Sequence, residues 1–257
     1  SMKILACVKQ VPDSESVIEI AASGEWIAEE GLVFRMNRFD EYAVEEALAL
    51  RESFPGSSVT AITVGPKRAE STARRAMEMG ADRGVRIPHE PGYASPMAVA
   101  ALIAAHARGE GYDIVLCGAM AEDDMQAQVG PLLAEMLDIP SATSVIEAEV
   151  SEDASAVRLE REVEGGEREL LELALPALLA VQPGINRPRY PSLSNVLRAK
   201  AQAIPEEFQE IELDPTATEK LLRLRLPGRS ANCEFLVGSA AEKAESLISI
   251  LAAKSFF

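Results

Sequence analysis

The chain has 257 residues, 47% of them apolar, which is enough to bury a sizeable core and excludes wholesale disorder. A net charge of −16 disfavours nucleic acid, whose phosphates demand a basic face; it fits either solubility or an acidic surface that steers a protein partner. The longest apolar runs fall short of the ~18 residues that cross a bilayer, so no membrane insertion is expected. No signal-peptide pattern precedes KILACVKQV, and Ser1 reads as an expression scar. Cys7, Cys117 and Cys233 are odd in number and widely separated, as reduced core thiols of a cytoplasmic protein would be. His89 and His106 belong to no ligand-spaced cluster, so no metal site is expected.

Along the chain, a first strand is expected over Lys3–Val11, and Asp40 reads as the cap of a helix EYAVEEALALRE whose Ala43, Ala47 and Leu50 share a face. A strand at Val59–Gly65 leads to the helix RAESTARRAMEMG, which stops at Gly80. Strand Arg83–Pro88, helix Pro96–Ala107 and strand Asp113–Gly118 follow. The acidic turn AEDD then feeds an amphipathic helix over Gln126–Leu137. Nearly all-apolar strands alternating with helices of this length predict an α/β fold, a doubly wound and mostly parallel sheet of Rossmann-like type. After Pro140 the pattern turns antiparallel: ATSVIEAEVSE, AVRLEREVEGG and ERELLELALPALLAV, with Gly165–Gly166 as the hairpin turn between the last two. The Pro-punctuated stretch from Arg187 to Pro227 does not close a core of its own, and the amphipathic SAAEKAESLISILAAK follows it. The expected division is a nucleotide-binding domain over 1–186, then a partner-binding arm with a terminal helix over 187–257.

In a parallel sheet, ligands settle outside the carboxyl ends of strands, near helix N-termini. CVKQVPD, MNRFDE, VGPKRAES and GAMAEDDMQAQVG all qualify by position, whereas GxGxxG and GxxxxGK[ST] are absent. Asp123 and Asp124 are most simply solvated turn residues, yet they suit ribose hydroxyls or adenine N6. The backbone amides of Ala127, Gln128 and Val129 would then face a phosphate. Arg161 and Glu162 read first as ordinary strand charges. NRPRYPSL is either a rigid loop or a docking segment with Tyr190 and Leu193 as anchors. These residues leave three readings open: a partner-dependent nucleotide binder, a free-standing adenine-nucleotide-binding enzyme or stress-type sensor, and a scaffold with an empty pocket.

CVKQVPD, MNRFDEYAVEEALALRE, VGPKRAESTARRAMEMGADRGVRI, DIVLCGAMAEDDMQAQVGPLLAEML, LEREVEGG and NRPRYPSLSNVLRAK, in that order, resemble the beta subunit of electron transfer flavoprotein over nearly the full length. The resemblance implies a heterodimer with an alpha subunit that holds most of an electron-transferring FAD. It further implies AMP, or the AMP half of a second FAD in electron-bifurcating members, within the beta subunit. The function implied is electron relay from flavin dehydrogenases, such as acyl-CoA dehydrogenases, to a quinone- or ferredoxin-linked acceptor, with no turnover of its own. Carried over by position, the cofactor pocket takes in Cys7, Lys9, Asn37, Phe39, Asp40, Val64 and the Gly118–Val129 loop, including Asp123, Asp124, Gln126, Ala127, Gln128 and Val129. Glu162 resembles the strand residue that approaches the alpha-bound flavin. Pro191–Lys200 looks like the loop that docks on dehydrogenases, with Leu193 as apolar anchor and Tyr190, Arg198 and Lys200 around it. AQVGP and PRYPSL are similar to the bifurcating and nitrogen-fixation-associated branch. That branch usually reads Asp-Gly-Asp-Thr where this chain has Asp123-Asp124-Met125-Gln126. AMP-type members read Asn-Gln-Thr at Ala127-Gln128-Val129.

Overall fold

The structure, a computed structural model, describes residues 1–213, 218–228 and 233–255. It divides into two compact units, Ser1–Leu224 and Arg225–Phe257. Positions 214–217, 229–232 and 256–257 of the expected arm lie outside the described residues.

In the first unit, β1 (Lys3–Cys7) runs through the middle of an eight-stranded sheet. β2 (Gln10–Pro12) and β3 (Phe34–Met36) form a separate antiparallel ribbon beside it. The single strand expected over Lys3–Val11 is thus two. The break has a local cause: the Lys9 amide donates to the Asp40 carboxylate at 2.7 Å, leaving the ladder. Next come α1 (Arg38–Ser53), β4 (Ser58–Gly65), α2 (Glu70–Met79), β5 (Arg83–Pro88), α3 (Pro96–Arg108) and β6 (Ile114–Gly118). α3 starts as its sequence implies, with the Ser95 hydroxyl accepting from the Ala98 amide at 3.1 Å and Pro96 in the first turn. α2 ends at Gly80, whose φ of 142° suits only glycine.

The remaining elements are α4 (Val129–Leu137), β7 (Ser141–Val150), β8 (Ala156–Glu162), β9 (Arg168–Ala174), β10 (Ala177–Val181) and α5 (Leu193–Ala201), with α6 (Ala240–Ala253) in the second unit. The sheet order is β5-β4-β1-β6-β10-β7-β8-β9, parallel from β5 through β7, with β7–β8 and β8–β9 antiparallel. The expected α/β architecture with an antiparallel extension is present, and Gly165–Gly166 turn between β8 and β9. One strand differs. ERELLELALPALLAV is not one antiparallel strand but breaks at Leu175–Pro176, and β10 enters the parallel sheet between β6 and β7. Every residue of ALLAV is buried, as a central parallel strand requires, whereas β9 is mostly exposed.

Apolar layers cover both faces of the sheet. Ile4, Ala6, Val59, Leu116, Leu179 and Val181 pack with α1 residues Val44, Ala47 and Leu48 on one face. Alternate residues Leu5, Cys7, Ile62, Val115 and Cys117 pack with α3 and α4 on the other. The helix α5 falls within the Pro-punctuated stretch that begins at Arg187. It buries Ala199 against Ala73 and Met77 of α2, and Ser192 caps it by accepting from the Asn195 amide. Pro205 and Glu207 then exchange backbone bonds with Arg86, covering the edge of β5.

In the second unit, α6 is closed by a capping box, the Ser239 hydroxyl accepting from the Glu242 amide while the Glu242 carboxylate accepts from the Ser239 amide. Leu247 and Ile248 stand exposed on it.

Candidate functional site

From β1 the chain crosses to β4 and β5 on one side, then returns to β6 on the other, so the direction reverses between β1 and β6. A crevice at that switch point, outside the carboxyl ends of the strands, is where an α/β sheet places a ligand. Lys9 and Gly118 stand at its two lips.

Asp40 ties the lips together. It is not the helix cap expected from the sequence: α1 begins at Arg38 behind Asn37, and Asp40 is buried in the first turn. Its Oδ2 accepts from the Lys9 amide at 2.7 Å and its Oδ1 from the Gly118 amide at 2.9 Å. Burial pushes its pKa up to about 7, against the lowering effect of these bonds and of Asn37. Burial likewise raises the thiol pKa values of Cys7 and Cys117, which lie beneath the crevice on neighbouring strands. Gly118 has no room for a side chain, because a Cβ there would come within 2.5 Å of Asp40 Oδ1 and of Phe39 Cβ.

Asn37 is the N-cap of α1, but its side chain is spent elsewhere. Its amide donates to the Met120 carbonyl at 2.9 Å, and its Oδ1 accepts from the Glu122 amide at 3.1 Å. Glu122 reaches back to accept from the Arg38 amide and from Arg35, both at 3.1 Å. Glu122 and Arg35 are thus part of the site's frame, and local sequence gave no signal of it: the pairing spans 87 positions.

The acidic turn is partly neutralised by a lysine of the same chain. Lys9 Nζ donates to Asp123 Oδ1 at 2.7 Å and to Asp124 Oδ2 at 2.8 Å. Burial works to lower the Lys9 pKa, yet the two carboxylates outweigh it and the net shift is upward. Asp124 also accepts from the Gln126 amide at 3.0 Å, fixing a tight turn. Met125 and Ala127 then take positive φ of 53° and 54°. That backbone cannot be helical, so the helix expected from Gln126 begins at Val129 with Gln128 as its N-cap. Pro131 carries no amide proton, which leaves Val129 and Gly130 as the first-turn donors of α4, beside the loop amides of Ala127 and Gln128.

Lys9, Asn37, Phe39, Asp40, Gly118, Asp123 and Asp124 are therefore brought together, with Gln126, Ala127, Gln128 and Val129 on the adjoining turn. Val64 lies near the carboxyl end of β4, on the far side of β1. Glu162 stands apart at the end of β8, three strands from β6, and accepts from the Gln182 side-chain amide. Among the residues expected to dock a partner, Tyr190 is 95% exposed, Leu193 75% and Lys200 also open to solvent. Arg198 instead turns inward and donates to the Met77 and Ala81 carbonyls at 3.1 Å.

Chemically, these residues offer an ammonium group and the amides of a helix start, which suit an anion, together with carboxylates that suit hydroxyl or amine donors. Among the described residues no group of three or more His, Cys, Asp or Glu could hold a metal ion, and no helix is long and apolar enough to cross a membrane.

A model of the electron transfer flavoprotein domain matches residues 25–215. The chain is 35% identical over 257 residues to the electron transfer flavoprotein subunit beta of Bacillus subtilis, covering 97% of each chain. It is 35% identical over 223 residues to the Homo sapiens subunit beta, covering 86% of each, and 38% identical over 212 residues to the mitochondrial subunit beta of Oryza sativa, covering 81% of this chain and 83% of the relative. Similarity across most of the length of such relatives displaces the readings as a free-standing enzyme or sensor. The chain therefore belongs to the electron transfer flavoprotein family, as a beta subunit that carries electrons.

Proposed function

We propose that this chain pairs with an alpha subunit to form a cytoplasmic heterodimer that relays electrons from flavin dehydrogenases, acyl-CoA dehydrogenases among them, to a quinone- or ferredoxin-linked acceptor. An FAD held mainly by the alpha subunit supplies the redox chemistry. This chain supplies docking, orientation and a bound adenine nucleotide, either AMP or the AMP half of a second FAD. The observation that carries the reading is the donor set at the switch point. Lys9 and the amides of Ala127, Gln128, Val129 and Gly130 fit a phosphate, and the carboxylates of the turn fit ribose or adenine. Asp40 and Asn37 hold the two lips of that site at fixed separation. Flavin-based bifurcation is the finer reading that AQVGP and PRYPSL favour, whereas Asp124 places a charged side chain where a diphosphate would approach.

The nucleotide-binding domain is assigned to 1–186 and the partner-binding arm to 187–257, in which Pro191–Lys200, with Tyr190 beside it, faces the dehydrogenase and the remainder grips the alpha subunit. Support for the arm comes from Phe208, Leu222, Leu226, Phe235 and Val237, large apolar side chains that all stand exposed in the single chain. Hydrogen exchange of this chain with and without the alpha subunit tests the assignment. Amides of the arm beyond Glu207 are expected to exchange quickly in the single chain and slowly in the complex, α5 being already packed on α2; equal protection of those amides in both states would refute it.

A further inference from the structure

We infer that Glu45 is a positioning residue for the docking face, acting through Arg189; the inference rests on the proposed reading of Tyr190–Lys200 as that face. Arg189 immediately precedes Tyr190. Its Nη2 donates to Glu45 Oε1 at 2.8 Å, its Nε to Glu45 Oε2 at 2.9 Å, and its own backbone amide to Glu45 Oε2 at 3.0 Å. Nη1 adds a 2.5 Å bond to Glu52, two turns further along the same face of α1. A carboxylate that takes both the guanidinium fork and the backbone amide of one residue fixes that residue's backbone as well as its side chain.

A second tether lies three residues upstream. The Asn186 amide donates to the Tyr42 carbonyl and to Glu46 Oε2, both at 3.0 Å. Glu45 and Glu46 are each only 8% exposed, so they lie beneath the surface that a partner meets. Two adjacent carboxylates would not remain so buried on a helix without these donors. Burial raises the Glu46 pKa, while the ion pairs with Glu45 and Glu52 drive that of Arg189 still higher. Directly above this clamp, Tyr190, Leu193 and Leu197 are 95%, 75% and 59% exposed. This short apolar face is held at its start by Arg189 and at its end by Arg198, which donates to the Met77 and Ala81 carbonyls; it needs little ordering when a partner arrives, whereas the same residues on a loose loop would lose freedom on docking. Arg189 is thereby assigned to the inside of the docking loop and not to the partner.

The test is electron transfer from an acyl-CoA dehydrogenase to the co-purified heterodimer, carrying Glu45→Gln, Arg189→Lys or Leu193→Ala. Glu45→Gln keeps the shape and removes the charge that grips the fork. It is expected to raise the KM for the dehydrogenase roughly five- to tenfold, with kcat and flavin content unchanged. Arg189→Lys, which keeps one ion pair and loses the fork, is expected to raise KM by a smaller factor, and it serves in place of Glu45→Gln should that variant not assemble. A raised KM for Leu193→Ala with no change for Glu45→Gln or Arg189→Lys overturns the positioning role while leaving the docking reading intact. An unchanged KM for Leu193→Ala, or a wild-type heterodimer that the dehydrogenase does not reduce, removes the docking reading and this inference with it.

Discussion

Replacing Asp124 by Asn should tighten nucleotide binding, and the structure sets the size of the effect. Lys9 Nζ lies 2.7 Å from Asp123 and 2.8 Å from Asp124, so an arriving phosphate must share a cation already held by two anions. A phosphate oxygen bonded to the far side of Lys9 would stand about 5 Å from Asp124. At that separation, with a dielectric near 60 for partly exposed groups, the repulsion is about 1 to 1.4 kcal/mol, a five- to tenfold change in affinity. Asn is the informative choice because its oxygen can still accept from the Gln126 amide, as Asp124 does at 3.0 Å, so the turn survives. Titration calorimetry with AMP on the heterodimer stripped of bound nucleotide reads the gain directly. Because the interaction is electrostatic and near the surface, the gain should shrink at high salt. An affinity that is unchanged or weaker in Asp124→Asn would refute the placement of the phosphate beside Lys9.

Three further outcomes follow from the same geometry. Gln128→Ala removes the side-chain donor that its neighbours Ala127 and Val129 lack, and should weaken AMP two- to tenfold, the roughly 0.5–1.5 kcal/mol of one hydrogen bond, in the same titration. Gly118→Ala should lower stability by about 1–3 kcal/mol in a urea melt, because its Cβ has no space beside Asp40 and Phe39 and the lips must part. Asp40 has a folded-state pKa of about 7 against an ordinary value of 3.8, so the folded chain holds the extra proton between those limits. Its contribution to stability is complete below pH 4 and is lost as pH rises through 7. Melting temperatures of Asp40→Asn should therefore fall less than those of the parent chain between pH 5 and pH 8; parallel profiles would count against a titrating Asp40.

Local pattern reveals the order of strands and helices from β4 to β6, because all-apolar strands and capped helices write themselves into consecutive residues. Motif resemblance and their place after strands single out Lys9, Asn37, Asp40 and Gly118, which the structure brings together. Their bonding is not legible in the sequence. Asp40 looks like a cap because Asp favours caps, yet Asn37 takes that position and frees Asp40 to bridge β1 and β6 across 78 positions. The pairing of Lys9 with Asp123 and Asp124 also spans more than 110 positions, and no periodicity encodes it. β10 hid for a different reason: LALPALLAV reads as one apolar run, and only the break at Pro176 sends its second half back into the parallel sheet. The late start of α4 escaped because the positive φ of Met125 and Ala127 belongs to residues that carry no left-handed signature.

The most direct check on the account is a count of the ligands released on denaturing the co-purified heterodimer, with FAD and AMP resolved by chromatography and quantified per complex. The account predicts one adenine nucleotide beyond the alpha-held FAD: one FAD and one AMP for a simple carrier, or two FAD and no AMP for the bifurcating type. A fully assembled complex that releases one FAD and no second adenine nucleotide would contradict the assignment of the Lys9–Gly118 crevice as a nucleotide site.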